Sequence, residues 1–119
     1  MIVAGFGFRG AATMASLKDA FARVGGRADA LAAPADKAAA ACLIALAQSL
    51  FLPILPIAAE SLTATKTPTQ AKRVLAARGT GSVAEASALA GAGPGARLLS
   101  VRQISGDGLA TAALAEGGA

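Results

Sequence analysis

The chain has 119 residues and a mass of 11.5 kDa, which fits a single domain spanning residues 1–119. Hydrophobic residues make up 55% of it, although 34 of them are alanine, and the formal net charge is +4. It contains no histidine and one cysteine, which excludes a Ser-His-Asp triad, a zinc cluster and an internal disulfide. We therefore expect no metal site and no bound cofactor. Since tryptophan and tyrosine are also missing, we expect no nucleic-acid partner.

Neither the N-terminus nor the most apolar stretch predicts a membrane protein. Residues 1–5 lack a basic segment before an apolar run, so they do not resemble a signal peptide, and we expect a cytoplasmic protein. The 22 residues from Ala38 to Ala59 carry no charge and are long enough to span a bilayer. Pro53 and Pro56 interrupt this stretch, which favours a buried helix followed by a buried strand and no membrane contact.

The first half of the chain predicts alternating strands and helices. A short apolar run predicts a strand at 1–4, followed by a tight loop at 5–10. Thr13 is a predicted cap for a helix over 14–25, and a strand over 28–33 is closed by Pro34. A helix is expected from 36 or 37 to about 50, followed by a strand over 54–58. Pro56 favours an edge position for that strand, because proline cannot donate to the ladder.

The second half predicts helices and then a hairpin. Capping-box patterns at 67–70 and 82–85 predict one helix that ends near 78–79 and another that ends at Gly91. Strands over 98–102 and 109–114 are joined by a hairpin-type turn at 105–108. This order predicts an α/β fold of three layers, α/β/α, with a mostly parallel sheet and a C-terminal antiparallel hairpin.

The spacing Gly5-x-Gly7-x-x-Gly10 lies between a predicted strand and a predicted helix, as in a dinucleotide-binding loop. Glycines let the backbone approach a ligand closely, and a helix N-terminus presents free amides to an anion. The dinucleotide version also requires an acidic residue at the end of the second strand, whereas Asp29 falls at its start. The pattern leaves three interpretations open: a nucleotide site, a site for another anionic ligand, or a structural turn.

Two basic residues are expected at the same edge of the sheet. Arg9 follows the first strand and Lys37 follows the second, and in an open α/β sheet ligands bind beyond the carboxyl ends of the strands. A guanidinium binds carboxylates in a bidentate manner, and a lysine adds a mobile positive charge. This placement favours a polycarboxylate or phosphate ligand, and two solvated side chains are the alternative.

The pair Ser82 and Glu85 also has two interpretations. As a capping box it only begins a helix. If Glu85 instead faces a ligand, it is a candidate catalytic general acid or base. The acidic residues show no other paired arrangement, so the catalytic group is otherwise unknown.

Several segments together resemble the CobE family of cobalamin biosynthesis, which is homologous to the C-terminal domain of CbiG. They are Gly5-Phe-Gly-Phe-Arg-Gly-Ala-Ala-Thr13, Lys37 before an Ala/Leu helix, Thr67-Pro-Thr, the segment at 79–89 and Thr111-Ala-Ala-Leu-Ala115. The resemblance covers essentially the whole chain in the right order. Its most specific parts are the Ser-Val-Ala-Glu-Ala segment at 82–86 and the loop at 5–9.

The resemblance implies a small α/β domain that acts in the construction of the corrin ring. Full-length CbiG opens a lactone on a cobalt-containing precorrin and releases acetaldehyde, and CobE is its stand-alone relative in aerobic-type pathways. A corrinoid or precorrin intermediate is therefore the implied partner, together with other enzymes of the corrin pathway. Such intermediates carry acetate and propionate groups around an apolar ring, so their site needs cations and amides at its rim and an apolar floor.

These requirements select the predicted substrate-binding residues. Arg9, Lys37 and Arg102 supply cations, and the family usually has a lysine at the position of Arg102. Glycine amides and the helix starts near Thr13 and Ser82 supply donors, while Phe6 or Phe8 supplies the floor. The predicted set is Gly5, Gly7, Phe8, Arg9, Lys37, Ser82 and Arg102.

The function predicted from the sequence is binding of a polycarboxylate corrinoid or precorrin intermediate, as a carrier or as an accessory to a pathway enzyme. A pathway enzyme of the hydrolase type, with Glu85 or a basic residue as catalyst, is the first alternative. A dinucleotide-binding module is the second, and the glycine spacing alone motivates it.

Overall fold

The alternation of apolar segments in the sequence folds into one mixed sheet with helices on both sides. The computed structural model describes residues 1–78 and 80–118, apart from the side chains of residues 73, 77 and 78. The strands are β1 (Ile2–Phe8), β2 (Ala30–Pro34), β3 (Ile54–Ile57), β4 (Arg97–Ile104) and β5 (Ala110–Glu116). The helices are α1 (Met14–Arg23), α2 (Ala41–Leu50), α3 (Ala59–Ala64), α4 (Lys72–Arg78) and α5 (Val83–Ala92).

The five strands lie in the order β3–β2–β1–β5–β4. β1, β2 and β3 are parallel, whereas β5 is antiparallel to both β1 and β4. The long β1–β5 ladder runs from the pair Ile2 and Glu116 to the pair Phe8 and Ala110. The predicted α/β fold with a C-terminal antiparallel hairpin is confirmed, and β3, which contains Pro56, lies at an edge of the sheet as expected.

Successive residues of β1 point to opposite faces of the sheet, and the two faces bury different side chains. Ala4 and Phe6 face α1 and α2, where the core holds large residues: Leu17, Phe21, Leu31, Leu43 and Leu46. Val3 and Gly5 face α5, where the core is mostly alanine. The result is the predicted arrangement of three layers, with the sheet in the middle.

β1 is longer than the sequence predicts. It was expected to end at Ala4 and to be followed by a loop, but the strand continues through Gly5 and Gly7 to Phe8. Each of these residues is opposite a residue of β5, so the ladder keeps the backbone extended. The expected glycine loop at 5–10 is therefore wrong over most of its length.

The helices between β2 and α4 also differ from the predictions. α2 begins at Ala41 rather than at 36 or 37, because the chain first makes turns in which the Lys37 N–H donates to the Pro34 carbonyl at 2.8 Å. The short helix α3 was not expected, since its six residues carry no clear apolar repeat.

The segment at 67–70 is not a capping box. The Thr67 hydroxyl donates to the Thr69 carbonyl at 2.9 Å, and Nε2 of Gln70 donates to the Thr67 carbonyl at 2.7 Å. These side chains fold the segment on itself, and α4 begins only at Lys72. Gly79, which was expected near the end of this helix, lies outside the described residues.

The other two helix starts follow the sequence. The Ser16 N–H donates to Oγ1 of Thr13 at 3.3 Å, and the Glu85 N–H donates to Oγ of Ser82 at 3.2 Å. The uncharged stretch at 38–59 contains α2 and β3, as predicted. Over the described ranges, no helix has the length and apolar character that crossing a bilayer requires.

Candidate functional site

A cavity of about 450 Å³ opens at the carboxyl ends of β1 and β2. The end of β1 and the turn after β2 form one wall, with Arg9 and Lys37. The β4–β5 hairpin forms a second wall, which includes Ile104. The start of α4, with Val74, and the first residue of α5, Val83, close the cavity on a third side. Its volume lies within the range of small-molecule binding sites.

Among the described residues, three cations line this cavity. Arg9 is exposed immediately after β1, Lys37 lies half-buried in the turn after β2, and Arg102 lies half-buried on β4. The Nζ atom of Lys37 is 5.3 Å from the centre of the Phe8 ring, a cation–π geometry that keeps the ammonium group on this side of the sheet. None of the described residues that line the cavity is acidic. The site therefore presents a positive field to an anionic ligand.

The floor between the cations is apolar. Phe6 is fully buried beneath it, and Phe8, Val74, Val83 and Leu109 contribute further apolar surface. A ligand with an apolar body and several carboxylates meets both parts of such a site.

Gly7 keeps part of this floor open. A Cβ atom at Gly7 would lie 2.9 Å from Oγ1 of Thr111 and 3.4 Å from Cβ of Val83, both of which line the cavity. The Thr111 hydroxyl in turn donates to the Gly7 carbonyl at 3.2 Å. Gly7 thus serves the cavity by lacking a side chain, and not as a member of a glycine loop.

A network of hydrogen bonds fixes the hairpin wall to α1. The carboxylate of Asp107 accepts bonds from the hydroxyls of Ser105 and Ser16, both at 2.6 Å, and from the Leu109 N–H at 3.0 Å. These donors, first of all the Ser105 hydroxyl, hold the pKa of Asp107 below its ordinary value. Leu109 lines the cavity, so the network holds one wall in place.

Asp19 of α1 holds the same turn from a second point. Its Oδ2 accepts the Gly106 N–H at 2.6 Å, and Arg23 lies 3.3 Å away as an ion-pair partner. The bond from the Gly106 backbone, followed by that from Arg23, keeps the pKa of Asp19 below its ordinary value. Both carboxylates lie on the α1 side of the hairpin and outside the cavity lining.

Gly5 lies away from the cavity, against α5. A Cβ atom there would overlap the Ala84 carbonyl and the Ala88 nitrogen of α5, so only glycine lets the helix backbone approach the strand this closely. Its predicted place in a loop is wrong, since it lies inside β1 and is paired with both β2 and β5.

Ser82 and Glu85 are also outside the cavity lining. Both are fully buried, and Ser82 caps α5. From the described part of the chain, the Glu85 carboxylate accepts bonds from the Thr69 N–H at 2.9 Å, the Thr69 hydroxyl at 2.8 Å and the Arg102 N–H at 2.8 Å. It does not return to the Ser82 N–H as a full capping box would, and in this arrangement it does not contact a ligand in the cavity.

The dinucleotide interpretation does not fit the structure. Gly5 and Gly7 lie within β1, so they form no loop around a phosphate. The Asp29 carboxylate accepts a hydrogen bond from the Ile2 N–H at 2.7 Å. This bond holds Asp29 at the start of β1, and the cavity lies at the other end of that strand. A ribose held in the cavity would therefore be out of reach of Asp29.

Sequence reasoning missed the wall that α4 and its preceding residue contribute. Ala71 and Val74 line the cavity, yet no local pattern connects them with β1. Thr111, near the start of β5, also lines the cavity, whereas its local sequence predicts only a strand. Among the described residues, no cluster of three or more potential metal ligands is present.

The chain matches a family model described as "Cobalamin synthesis G C-terminus" over residues 2–115. Among proteins with curated functions, no sequence matches it. The match covers β1 to β4, all but the last residue of β5, and the residues that line the cavity, so it concerns the fold and the site together.

Two solved structures are similar over nearly the whole chain. One is CobE, described as a protein from the cobalamin (vitamin B12) biosynthetic pathway, with 30% identity and a TM-score of 0.82 over 97% of this chain and 92% of that one. The other is the cobalamin biosynthesis protein chiG from Agrobacterium tumefaciens, with 33% identity and a TM-score of 0.74 over 100% of both chains. These matches agree with the resemblance seen in the sequence, and the chain belongs to the CobE/CbiG C-terminal family of cobalamin biosynthesis proteins.

Proposed function

We propose that the cavity binds a polycarboxylate corrinoid or precorrin intermediate, and that the protein acts in the cytoplasm as a carrier or as an accessory to another enzyme of the pathway. The observation that carries this proposal is the convergence of Arg9, Lys37 and Arg102 on one cavity with an apolar floor and no acidic residue among its described lining. The cavity would hold one edge of the macrocycle and its acid groups, and the rest of the ring would remain accessible.

The charge pattern supports a ligand with several acid groups. Guanidinium groups bind carboxylates through paired hydrogen bonds, and Lys37 adds a charge held beside Phe8. The apolar floor suits the face of a large ring. The proposed ligand matches both the cations and the apolar floor, whereas a simple phosphate would contact the cations and leave the floor uncovered.

A hydrolase-type activity has less support in the geometry. Hydrolysis requires a group that activates water, and carboxylate, thiol and imidazole groups are missing from the described residues of the lining. Glu85, the candidate from the sequence, is buried behind the walls. This arrangement favours a binding role, with any chemistry supplied by a partner enzyme.

The test is a titration of the protein with a metal-free corrinoid acid, in which the absorbance of the ligand reports binding. We expect saturable binding at micromolar concentrations that weakens as salt is added, because screening reduces attraction between exposed charges. An otherwise similar corrinoid whose acid groups are amidated should bind much more weakly. Absence of a spectral change with the acid form would overturn the proposal.

Single substitutions locate the binding to the cavity. Arg9→Gln, Lys37→Gln and Arg102→Gln should each weaken binding by about tenfold, the scale of one lost hydrogen bond to a charged group. Lys18→Gln is the matched control, because Lys18 is exposed on α1 and outside the cavity lining. If all four variants lose affinity equally, the ligand responds only to net charge and the cavity is not its site.

Incubation with precorrin substrates separates the binding role from the enzymatic one. We expect ligand binding without turnover by the protein alone. Turnover by the wild-type protein would instead support the hydrolase alternative, and its loss in a folded Glu85→Gln variant at saturating ligand would assign the catalysis to Glu85.

A further inference from the structure

The feature that the proposed function leaves unused is the buried Glu85 carboxylate. It is fully buried in the first turn of α5, yet the donors that the described residues provide to it come from two other parts of the chain. A buried carboxylate is costly unless it is fully hydrogen-bonded, so its partners indicate what it does for the fold. Each of those partners leads directly to a wall of the cavity.

The first partner is a β-bulge in β4. Ser100 is opposite Leu114, and Gln103 is opposite Ala112, so β4 has one residue more than β5 between these two pairs. A bulge leaves a residue without its ladder partner and changes the direction of a side chain. Here the Arg102 N–H donates to Oε2 of Glu85 at 2.8 Å, and the Arg102 side chain lines the cavity.

The second partner is the segment before α4. The Thr69 N–H donates to Oε1 of Glu85 at 2.9 Å, and the Thr69 hydroxyl donates to Oε2 at 2.8 Å. Two residues later, Ala71 lines the cavity, and its N–H is held by the Gly81 carbonyl at 2.9 Å. Glu85 therefore fixes the α4 wall and the β4 wall relative to each other.

We infer that Glu85 is a positioning residue: its carboxylate receives the free N–H of the β4 bulge, and this bond sets where Arg102 enters the cavity. This inference rests on the proposed function for its effect on ligand affinity, although the bond itself is a property of the protein alone. It assigns Glu85 a role that acts through Arg102 and not through contact with the ligand.

The first experiment needs no ligand. Amide hydrogen exchange and the proton chemical shift of Arg102 are measured by NMR in wild type, Glu85→Gln and the control Glu60→Gln, which removes an exposed carboxylate from α3. In Glu85→Gln the new NH₂ group is a donor that replaces one acceptor oxygen, and the remaining oxygen is neutral. The Arg102 N–H therefore either loses its acceptor or keeps a weaker, uncharged one. We expect the Arg102 amide to exchange at least about tenfold faster, on the scale of a lost bond to a charged group, and Glu60→Gln to match wild type. An unchanged Arg102 amide in Glu85→Gln would overturn the inference.

A milder variant covers the case in which Glu85→Gln does not fold. Thr69→Val removes only the hydroxyl that shares Oε2 with the Arg102 N–H, so the proton shift of the Arg102 amide should move. Thr63→Val is the matched control, since the Thr63 hydroxyl donates to the carbonyls of Ala59 and Glu60 in α3 and not to Glu85. Equal Arg102 shifts in both variants would also count against the inference.

The second experiment is a double-mutant cycle on the affinity for the metal-free corrinoid acid. If Glu85 acts through Arg102, Glu85→Gln should weaken binding by about tenfold in wild type and have little effect in Arg102→Gln. In Arg9→Gln, which shares no partner with Glu85, it should retain its full effect. If the losses of affinity are additive both with Arg102→Gln and with Arg9→Gln, Glu85 has a merely structural role and the inference is overturned. If wild type binds no corrinoid acid, the proposed function fails, and the amide measurements still decide whether Glu85 holds Arg102.

Discussion

The two faces of the sheet are built from residues of opposite size. Towards α1 and α2 the core consists of leucine and phenylalanine, and the rings of Phe6 and Phe21 lie 6.1 Å apart. Towards α5 it consists mainly of alanine, with Gly5 on the strand and Gly91 on the helix. A Cβ atom at Gly91 would lie 3.0 Å from Cγ1 of Val3, so even a methyl group is crowded there.

The two faces show two ways in which side chains can hold a helix against a sheet. The α1–α2 face is stabilised by the volume that its side chains fill, and there the removal of atoms is costly. The α5 face is stabilised by close approach, and there the addition of atoms is costly. Close approach also brings the first residue of α5, Val83, to the cavity and lets Glu85 reach both β4 and the segment before α4.

The largest effect is expected on the face with large side chains. Phe21→Ala should lower the free energy of unfolding by about 3 to 5 kcal/mol, because it removes a buried ring from a well-packed core. Urea denaturation followed by circular dichroism measures this loss. Phe51→Ala is the matched control, since the Phe51 side chain is 94% exposed, and it should change stability by less than about 0.5 kcal/mol. Similar losses of stability in Phe21→Ala and Phe51→Ala would contradict the claim that filled volume stabilises the α1–α2 face.

On the α5 face, the addition of a methyl group should destabilise the protein. Gly5→Ala places a Cβ atom against the backbone of α5 at Ala84 and Ala88, which no side-chain rotation relieves. We expect a loss of about 3 kcal/mol, the upper part of the range for overpacking. Gly10→Ala makes the same chemical change where a Cβ atom meets nothing within 4 Å, and it should be neutral or slightly stabilising. If Gly5→Ala is equally harmless, α5 is not held by close approach.

A smaller, pH-dependent effect is expected where α1 holds the hairpin. The pKa values of Asp107 and Asp19 are lowered in the folded protein from 3.8, so the ionised carboxylates contribute stability that is fully present above about that pH. This contribution is lost as the pH falls through the lower folded pKa values. The melting temperature of Asp107→Asn should therefore lie below that of wild type at pH 7, and the gap should narrow below pH 3.8. A constant gap from pH 7 to pH 2 would show that ionisation of Asp107 does not stabilise the hairpin.

Much of the fold follows from local signals in the sequence. Thr13 and Ser82 cap their helices because an N-cap hydroxyl acts within one turn. Pro56 predicts an edge strand because its missing N–H is a local property. Arg9 and Lys37 could be placed at one cavity because the ends of adjacent parallel strands meet at one edge of the sheet.

The remaining features depend on partners distant in the chain. In the sequence, a glycine that forms a loop and a glycine that admits a helix look the same, and only the position of α5 shows that Gly5 is of the second kind. The pattern of Ser82 and Glu85 predicts a capping box, but Thr69 and a bulge at Arg102 provide the donors to the carboxylate. Residues that act through tertiary contacts of this sort have no local signature.

The smallest expected effect has the opposite sign and concerns the end of α2. Phe51 adopts φ 55° and ψ 42°, a left-handed conformation that disfavours residues with a Cβ atom, and its exposed ring provides little packing in return. Phe51→Gly should therefore raise the free energy of unfolding by about 0.5 to 1 kcal/mol, because glycine adopts this conformation without strain. Phe51→Ala keeps the Cβ atom and should show no gain, so the difference between the two variants isolates the backbone from the ring. Thermal unfolding of both proteins under one condition provides the measurement. A gain in Phe51→Ala as large as in Phe51→Gly would mean that the exposed ring, and not the left-handed backbone, is what destabilises this end of the helix.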